Sequence, residues 1–132
     1  VANTTMWLGD TERAGQLEPL LAPYAGQLLV AGQACLVYDS ADSLRGPLLS
    51  MLGRHDEAVA CGEAAAELCE RAGCVPTAVK NGHQLAASLV ARGGPGDRDR
   101  AGALAQETFD RAEALGLAPD VRFAREVLDQ LG

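Results

Sequence analysis

Aromatic side chains are scarce: the 132-residue chain holds two phenylalanines, two tyrosines and one tryptophan, although 48% of its residues are hydrophobic. The apolar mass comes mainly from alanine and leucine, helix formers that let helices approach closely, and this argues against a strand-rich fold. Basic residues are also few, 11 against 18 acidic, for a net charge of −7. A chain with a pI near 4.7 and no local basic stripe repels phosphate, so direct nucleic-acid binding is not expected. Long apolar runs are missing as well. The longest, Leu28 to Tyr38, is broken by Gly32 and Gln33 and falls well short of the ~20 residues that span a bilayer.

Val1 to Asp10 has no basic stretch leading into an apolar one, so no secretory leader is read there. The expectation is a soluble, cytoplasmic protein with no membrane partner. One domain over residues 1–132 fits the length, which suffices to bury roughly two thirds of the unfolded surface. Cys35, Cys61, Cys69 and Cys74 form no CxxC pair, so free thiols are expected in place of a metal or redox site. The glycine-rich Arg92-Gly93-Gly94-Pro95-Gly96-Asp97 lacks the Gly-Lys-Ser/Thr ending that would hold a nucleotide's phosphates. With no nucleophile elbow, His-Glu-x-x-His pair or EF-hand loop either, neither an enzyme nor a cofactor is expected.

What the sequence does contain is a recurring unit. Leu8-Gly9-Asp10-Thr11-Glu12-Arg13-Ala14, Leu52-Gly53-Arg54-His55-Asp56-Glu57-Ala58 and Pro95-Gly96-Asp97-Arg98-Asp99-Arg100-Ala101 each place an alanine five residues after a glycine. The alanines are 58 − 14 = 44 and 101 − 58 = 43 residues apart. Each unit reads as a turn followed by a helix start, with glycine ending one helix and acidic residues near the positive end of the next. After the third turn Ala101, Leu104, Ala105, Thr108, Ala112 and Leu115 recur at helical spacing. After the second, Ala58, Cys61, Gly62, Ala65, Cys69 and Ala72 make a small-residue stripe. Pro76 and Pro119 suit helix starts, and the last helix, carrying Phe123, Ala124, Val127, Leu128 and Leu131 on one side, suits a C-terminal cap. Residues 27–42 are ambiguous: Leu28-Leu29-Val30 and Cys35-Leu36-Val37-Tyr38 would pass as short strands, but the favoured reading is a buried linker with one turn of helix. Pro47 places a helix start or kink near Gly46, and Pro19 interrupts the first helix.

The units resemble tetratricopeptide (TPR) repeats, with Gly46 and Ala86 at the small position of first helices, Leu49 and Leu89 three residues on, and Ala58, Ala65 and Ala101 at the small positions of second helices. The period exceeds the usual ~34, Arg45 and Ser88 replace apolar residues, and the large residue expected near Gly62 or Ala105 is missing. A second resemblance is to the C-terminal helical region of large bacterial regulators that join a cyclase-like or LuxR-type DNA-binding module to an AAA-type ATPase and a TPR-like array. Leu21-Ala22-Pro23-Tyr24-Ala25-Gly26, Ala34-Cys35-Leu36, Leu52 to Ala58 and Leu89 to Arg98 carry it. The resemblance implies an all-α fold of about 2.5 antiparallel helix-turn-helix units, and a non-catalytic regulatory or interaction module of bacterial signalling type.

On that alignment Ser43, Ser50, Lys80 and His83 face the inner groove, where a protein or peptide partner would lie. Lys80 and His83, three residues apart, would meet a carboxylate or phosphate. His55 is read as solvated, and Glu63, Glu67 and Glu70 as an acidic stripe on a solvated face. An exposed apolar flank would pair with a second copy as a homodimer. The alternative reading is a small-molecule, metal or thiol sensor in space left by alanine, glycine and cysteine along residues 54–73, drawing on Cys61, Cys69, Cys74 or His83.

Overall fold

The computed structural model describes residues 2–32 and 36–132, so Cys35 lies outside the described residues. Seven helices occur among them: α1 (Ala2–Leu8), α2 (Thr11–Leu21), α3 (Ala41–Met51), α4 (His55–Arg71), α5 (Val75–Arg92), α6 (Asp97–Leu115) and α7 (Ala118–Leu131). A single 3-10 turn (Ala22–Tyr24) and a hairpin of β1 (Leu28–Ala31) and β2 (Leu36–Ser40) separate α2 from α3. Helices pack in chain order, and α5 also touches α3 and α7.

Local chemistry sets the boundaries. The Asp10 carboxylate accepts from the Arg13 N–H at 3.0 Å, and Ser40 Oγ accepts from the Ser43 N–H at 3.0 Å, so α2 and α3 are capped at their starts. Gly93 and Gly116 follow α5 and α6 in the left-handed region, which glycine enters without a Cβ penalty. Residues 27–42 are not a linker. Leu28 pairs with Ser40, Leu29 with Asp39, Val30 with Val37 and Ala31 with Leu36 in antiparallel register, with an irregularity between Leu29 and Val30. The two leucine- and valine-rich runs satisfy their backbone polar groups on each other, which an extended linker cannot do. Pro47 likewise starts no helix, because α3 begins six residues earlier at the Ser40 cap and tolerates the proline in its interior. Pro19 lies inside α2 in the same way.

Small residues line the helix crossings. A Cβ added at Gly62 would sit 2.9 Å from Leu85 Cδ1 and 3.2 Å from its Cβ, and one at Gly82 would overlap Thr108 Oγ1. The α4–α5 and α5–α6 contacts therefore need glycine. No room is left by the absence of a large residue near Gly62, and Ala105 is fully enclosed in the main core with Val59, Leu85, Ala86, Leu89, Ala101 and Val127. No aromatic ring is among the buried hydrophobic residues.

Charged groups tie the less regular half together. The buried Glu18 of α2 receives two hydrogen bonds from Arg45 of α3, from Nε at 3.0 Å and Nη2 at 2.7 Å, and a weaker one from Arg54 Nη1 at 3.3 Å. Arg45 also reaches Asp42 Oδ1 at 3.1 Å, and Asp42 Oδ2 accepts from the Gly26 N–H at 2.6 Å. Buried pairs of this kind specify one arrangement more than they add stability, since desolvation offsets the attraction. At the α5–α6 turn, Arg92 donates to both oxygens of Asp97, at 2.7 and 2.6 Å, and the Gly94 N–H donates at 2.9 Å. The guanidinium holds the Asp97 carboxyl down to about 2. The acidic stripe is exposed but not unpaired: Glu63 meets Arg100 at 2.7 Å and Glu70 meets Arg111 at 2.8 Å, both across to α6, and Glu67 meets Arg71 at 3.4 Å.

Gly82→Ala is expected to destabilise the fold by about 1–3 kcal/mol through overpacking against Thr108, and Thr108→Ala in the same chain to restore most of the loss, read by urea unfolding. Asp97 has a folded-state pKa below its ordinary 3.8, so its contribution is present above that value and lost as pH falls from about 4 toward 2. Asp97→Asn is therefore expected to be less stable than the native chain at neutral pH, with the difference shrinking across that acid window in thermal melts followed by circular dichroism.

Candidate functional site

The odd-numbered helices enclose a cleft of about 960 Å³. Each gives it a stripe at helical spacing. From α1 come Asn3, Met6 and Trp7, and from α3 Pro47, Ser50 and Met51. The central helix α5 supplies Lys80, His83, Gln84, Ala87, Ser88 and Ala91, while α7 supplies Pro119, Asp120, Phe123, Glu126, Val127 and Gln130. Of the even-numbered helices, only α4 contributes, through its first residue, His55. The opposite face of α5, with Ala78, Val79, Gly82, Leu85, Ala86 and Leu89, is buried against its neighbours. One helix thus serves core and cleft with different residues of one 3.6-residue repeat.

An aromatic group forms one wall. The Phe123 ring stacks on the His83 imidazole, with centroids 5.2 Å apart and planes at 26°, and meets the Trp7 indole edge-on at 6.3 Å and 84°. Trp7 nevertheless remains 74% exposed. Since Trp7 belongs to the first helix and Phe123 to the last, their contact joins the two ends of the helical stack. The His83 ring is also held through Nε2 by Asp120 Oδ1 at 3.1 Å, so the imidazole is fixed on two sides. The guanidinium of Arg122 lies 5.0 Å from the Phe123 centroid, within cation–π range.

Of the four groove residues expected from sequence, Ser50, Lys80 and His83 line this cleft. Ser43 does not: it is buried behind the cleft, and its hydroxyl donates to Gln84 Oε1 at 3.4 Å. Lys80 and His83 do share a face, but each already has an internal carboxylate. The Lys80 ammonium donates to Asp39, a buried residue of β2 whose other oxygen accepts from the Ser40 N–H, and His83 has Asp120. His55 is half-buried at the end of the cleft, with Nδ1 enclosed, because the first turn of α4 leans on α3. Trp7, Met6 and Phe123 are among the lining residues that the groove reading misses. The rarity of aromatic residues in the chain marks out Trp7 and Phe123 individually, but not that they meet.

The basic groups are committed as well. Arg13, Arg71, Arg100, Arg111 and Arg122 each pair with a carboxylate, as do Arg45, Arg54, Lys80 and Arg92. Arg98 donates to the Leu131 carbonyl, and Arg125 lies over the Phe109 ring. Every one of the 11 basic side chains thus has an internal partner. Cys61 and Cys69 are buried in the helix stack, where burial pushes the Cys61 thiol up to about 11 and the Cys69 thiol also upward. Neither lines the cleft, nor does Cys74. Among the described residues no three His, Cys, Asp or Glu side chains are grouped as a metal site requires, and no helix is long and apolar enough to cross a membrane.

The cleft can therefore offer an apolar, aromatic surface with fixed polar groups at its edges, and the comparisons with known proteins add no precedent for it: no family model, curated protein or solved structure matches the chain.

Proposed function

We propose that this protein is a non-catalytic interaction module that holds a segment of a partner protein in the cleft between α1, α3, α5 and α7. The observation that carries the reading is where the aromatic rings lie. None is in the core, whereas Trp7 and Phe123 stand together in the cleft. Rigid aromatic side chains in a concave surface are the residue types that anchor protein interfaces. Ser50, His83, Gln84, Glu126 and Gln130 supply hydrogen-bonding groups around them, suited to orienting a helix or an extended peptide laid in the groove.

A TPR-like organisation is part of the same reading. Gly9, Gly53 and Gly96 all have positive φ between successive helices, and Ala14, Ala58 and Ala101, five residues after each, are completely buried. In a TPR-like array first helices line the concave face and second helices support it, and the odd- and even-numbered helices divide in that way. The sequence resemblance to the helical region of bacterial regulators supports a signalling context. The full pairing of basic groups supports a protein partner over a nucleic acid.

Trp7 is the only tryptophan, which makes its fluorescence a reporter of the cleft. Peptides selected from a displayed random library against the native chain are expected to shift Trp7 emission on binding. They are also expected to lose about tenfold or more in affinity when Phe123→Ala or Trp7→Ala is introduced, as for interface anchors. Selected peptides that bind both variants as tightly as the native chain would overturn the cleft as the binding surface.

A further inference from the structure

The charges of the cleft do not balance. Apart from its histidines, the titratable side chains in its lining are Lys80, Asp120 and Glu126, and the one cation is already neutralised, since the Lys80 ammonium donates to the buried Asp39 carboxylate. Asp120 has the His83 imidazole at 3.1 Å, which carries a compensating charge only when protonated. Glu126 has Arg122 at 3.8 Å, with both side chains more than half exposed, a geometry that contributes little. Among the described residues, therefore, two carboxylates stand in the cleft without a firm counter-ion, although helical spacing alone would make Lys80 and His83 a site for an anion. Both carboxylates belong to α7, each three residues from Phe123, or roughly 4.5 Å of helix rise on either side. Trp7, edge-on to Phe123, keeps 74% of its surface open beside them.

We infer, on the reading of the cleft as a groove for a protein segment, that this segment carries a lysine or arginine beside its apolar anchor, and that the basic side chain lies against Trp7 with its charged end toward Asp120 and Glu126. Tryptophan holds a cation better than the other aromatic rings. The long stems of lysine and arginine cover apolar surface while their heads reach a carboxylate. The chain makes the same combination once with a side chain of its own: the Arg122 guanidinium lies 5.0 Å from the Phe123 centroid and pairs with Glu126. Segments of other chemistry fit worse. A wholly apolar one would strip water from Asp120 and Glu126 and return nothing to them, and an acidic one would set like charge against them. The net charge of −7 acts in the same direction, drawing in a basic segment and repelling an acidic one before contact.

Peptide binding read by Trp7 emission tests the charge preference separately from the cleft itself. Peptides selected on the native chain from a displayed random library are expected to be enriched in lysine and arginine, and depleted in aspartate and glutamate, relative to the unselected pool. Replacing the basic residue of the tightest of them by glutamine is expected to weaken binding to the native chain about tenfold or more. The chain carrying Asp120→Asn with Glu126→Gln is expected to bind the parent peptide weaker by a like factor and to stop distinguishing it from its glutamine version. Asp110→Asn with Glu113→Gln removes as much charge from exposed positions of α6, outside the cleft, and is expected to change affinity by less than about twofold. Peptides that lose affinity on Phe123→Ala, yet show no basic enrichment and no response to the glutamine replacement, would leave the cleft as the binding surface and overturn the basic partner. Equal weakening by the two acid pairs would overturn it too, by assigning the preference to overall charge. Peptides that bind the Phe123→Ala and Trp7→Ala chains as tightly as the native one would overturn the cleft reading and this inference with it.

Discussion

Close approach of helices at small residues is the constraint on which the rest of this structure depends. Gly62 against Leu85 and Gly82 against Thr108 bring α4, α5 and α6 nearer than any side chain at those positions would permit. Alanine at positions 58, 65, 86, 101, 105, 112 and 124 continues the same dense packing. Such an interior has no space for rings, so the few aromatic residues are displaced outward. Two of them gather in the cleft. The composition of the core and the chemistry of the surface are in this sense one fact, because filling the crossings with small residues leaves the large ones for recognition.

A core of alanine and leucine has few shape-specific contacts with which to choose one arrangement over its neighbours. Buried polar pairs supply that choice at the points where regular helix packing is interrupted. Glu18, Asp42 and Arg45 fix α2 and the turn at Gly26 against α3, Asp39 and Lys80 join the hairpin to α5, and Asp97 with Arg92 sets the turn into α6. Glu18, Asp39, Asp42 and Asp97 account for the buried acids. The remaining acidic surplus is on the outside, where it sets the field that an approaching molecule meets.

The C-terminal half was the more legible part of the sequence, for a local reason. Gly93 and Gly116 stop helices, Pro76 and Pro119 sit in first turns, and the apolar spacing between them is helical throughout, so propensity and pattern agree. The hairpin was opaque because short apolar runs have no period that separates strand from buried linker, and because its pairing joins residues across a turn. The cleft was half legible. Ser50, Lys80 and His83 could be placed from their helical faces, but Ser43 could not be distinguished from them, as its burial depends on Gln84 in another helix. The meeting of Trp7 and Phe123 was beyond reach, since they lie in helices far apart in the sequence and no local spacing relates them. Lys80 sits on the cleft face as the helical spacing implies, but its ammonium is taken by Asp39, distant in sequence.

The edge-on meeting of Trp7 and Phe123 has a mechanical consequence. In the cleft, α1 touches α3, α3 touches α5 and α5 touches α7, and the Trp7–Phe123 contact closes these four helices into a ring. A closed ring of contacts resists displacement of any one member more than an open row does, so an occupant of the cleft meets walls already braced against each other.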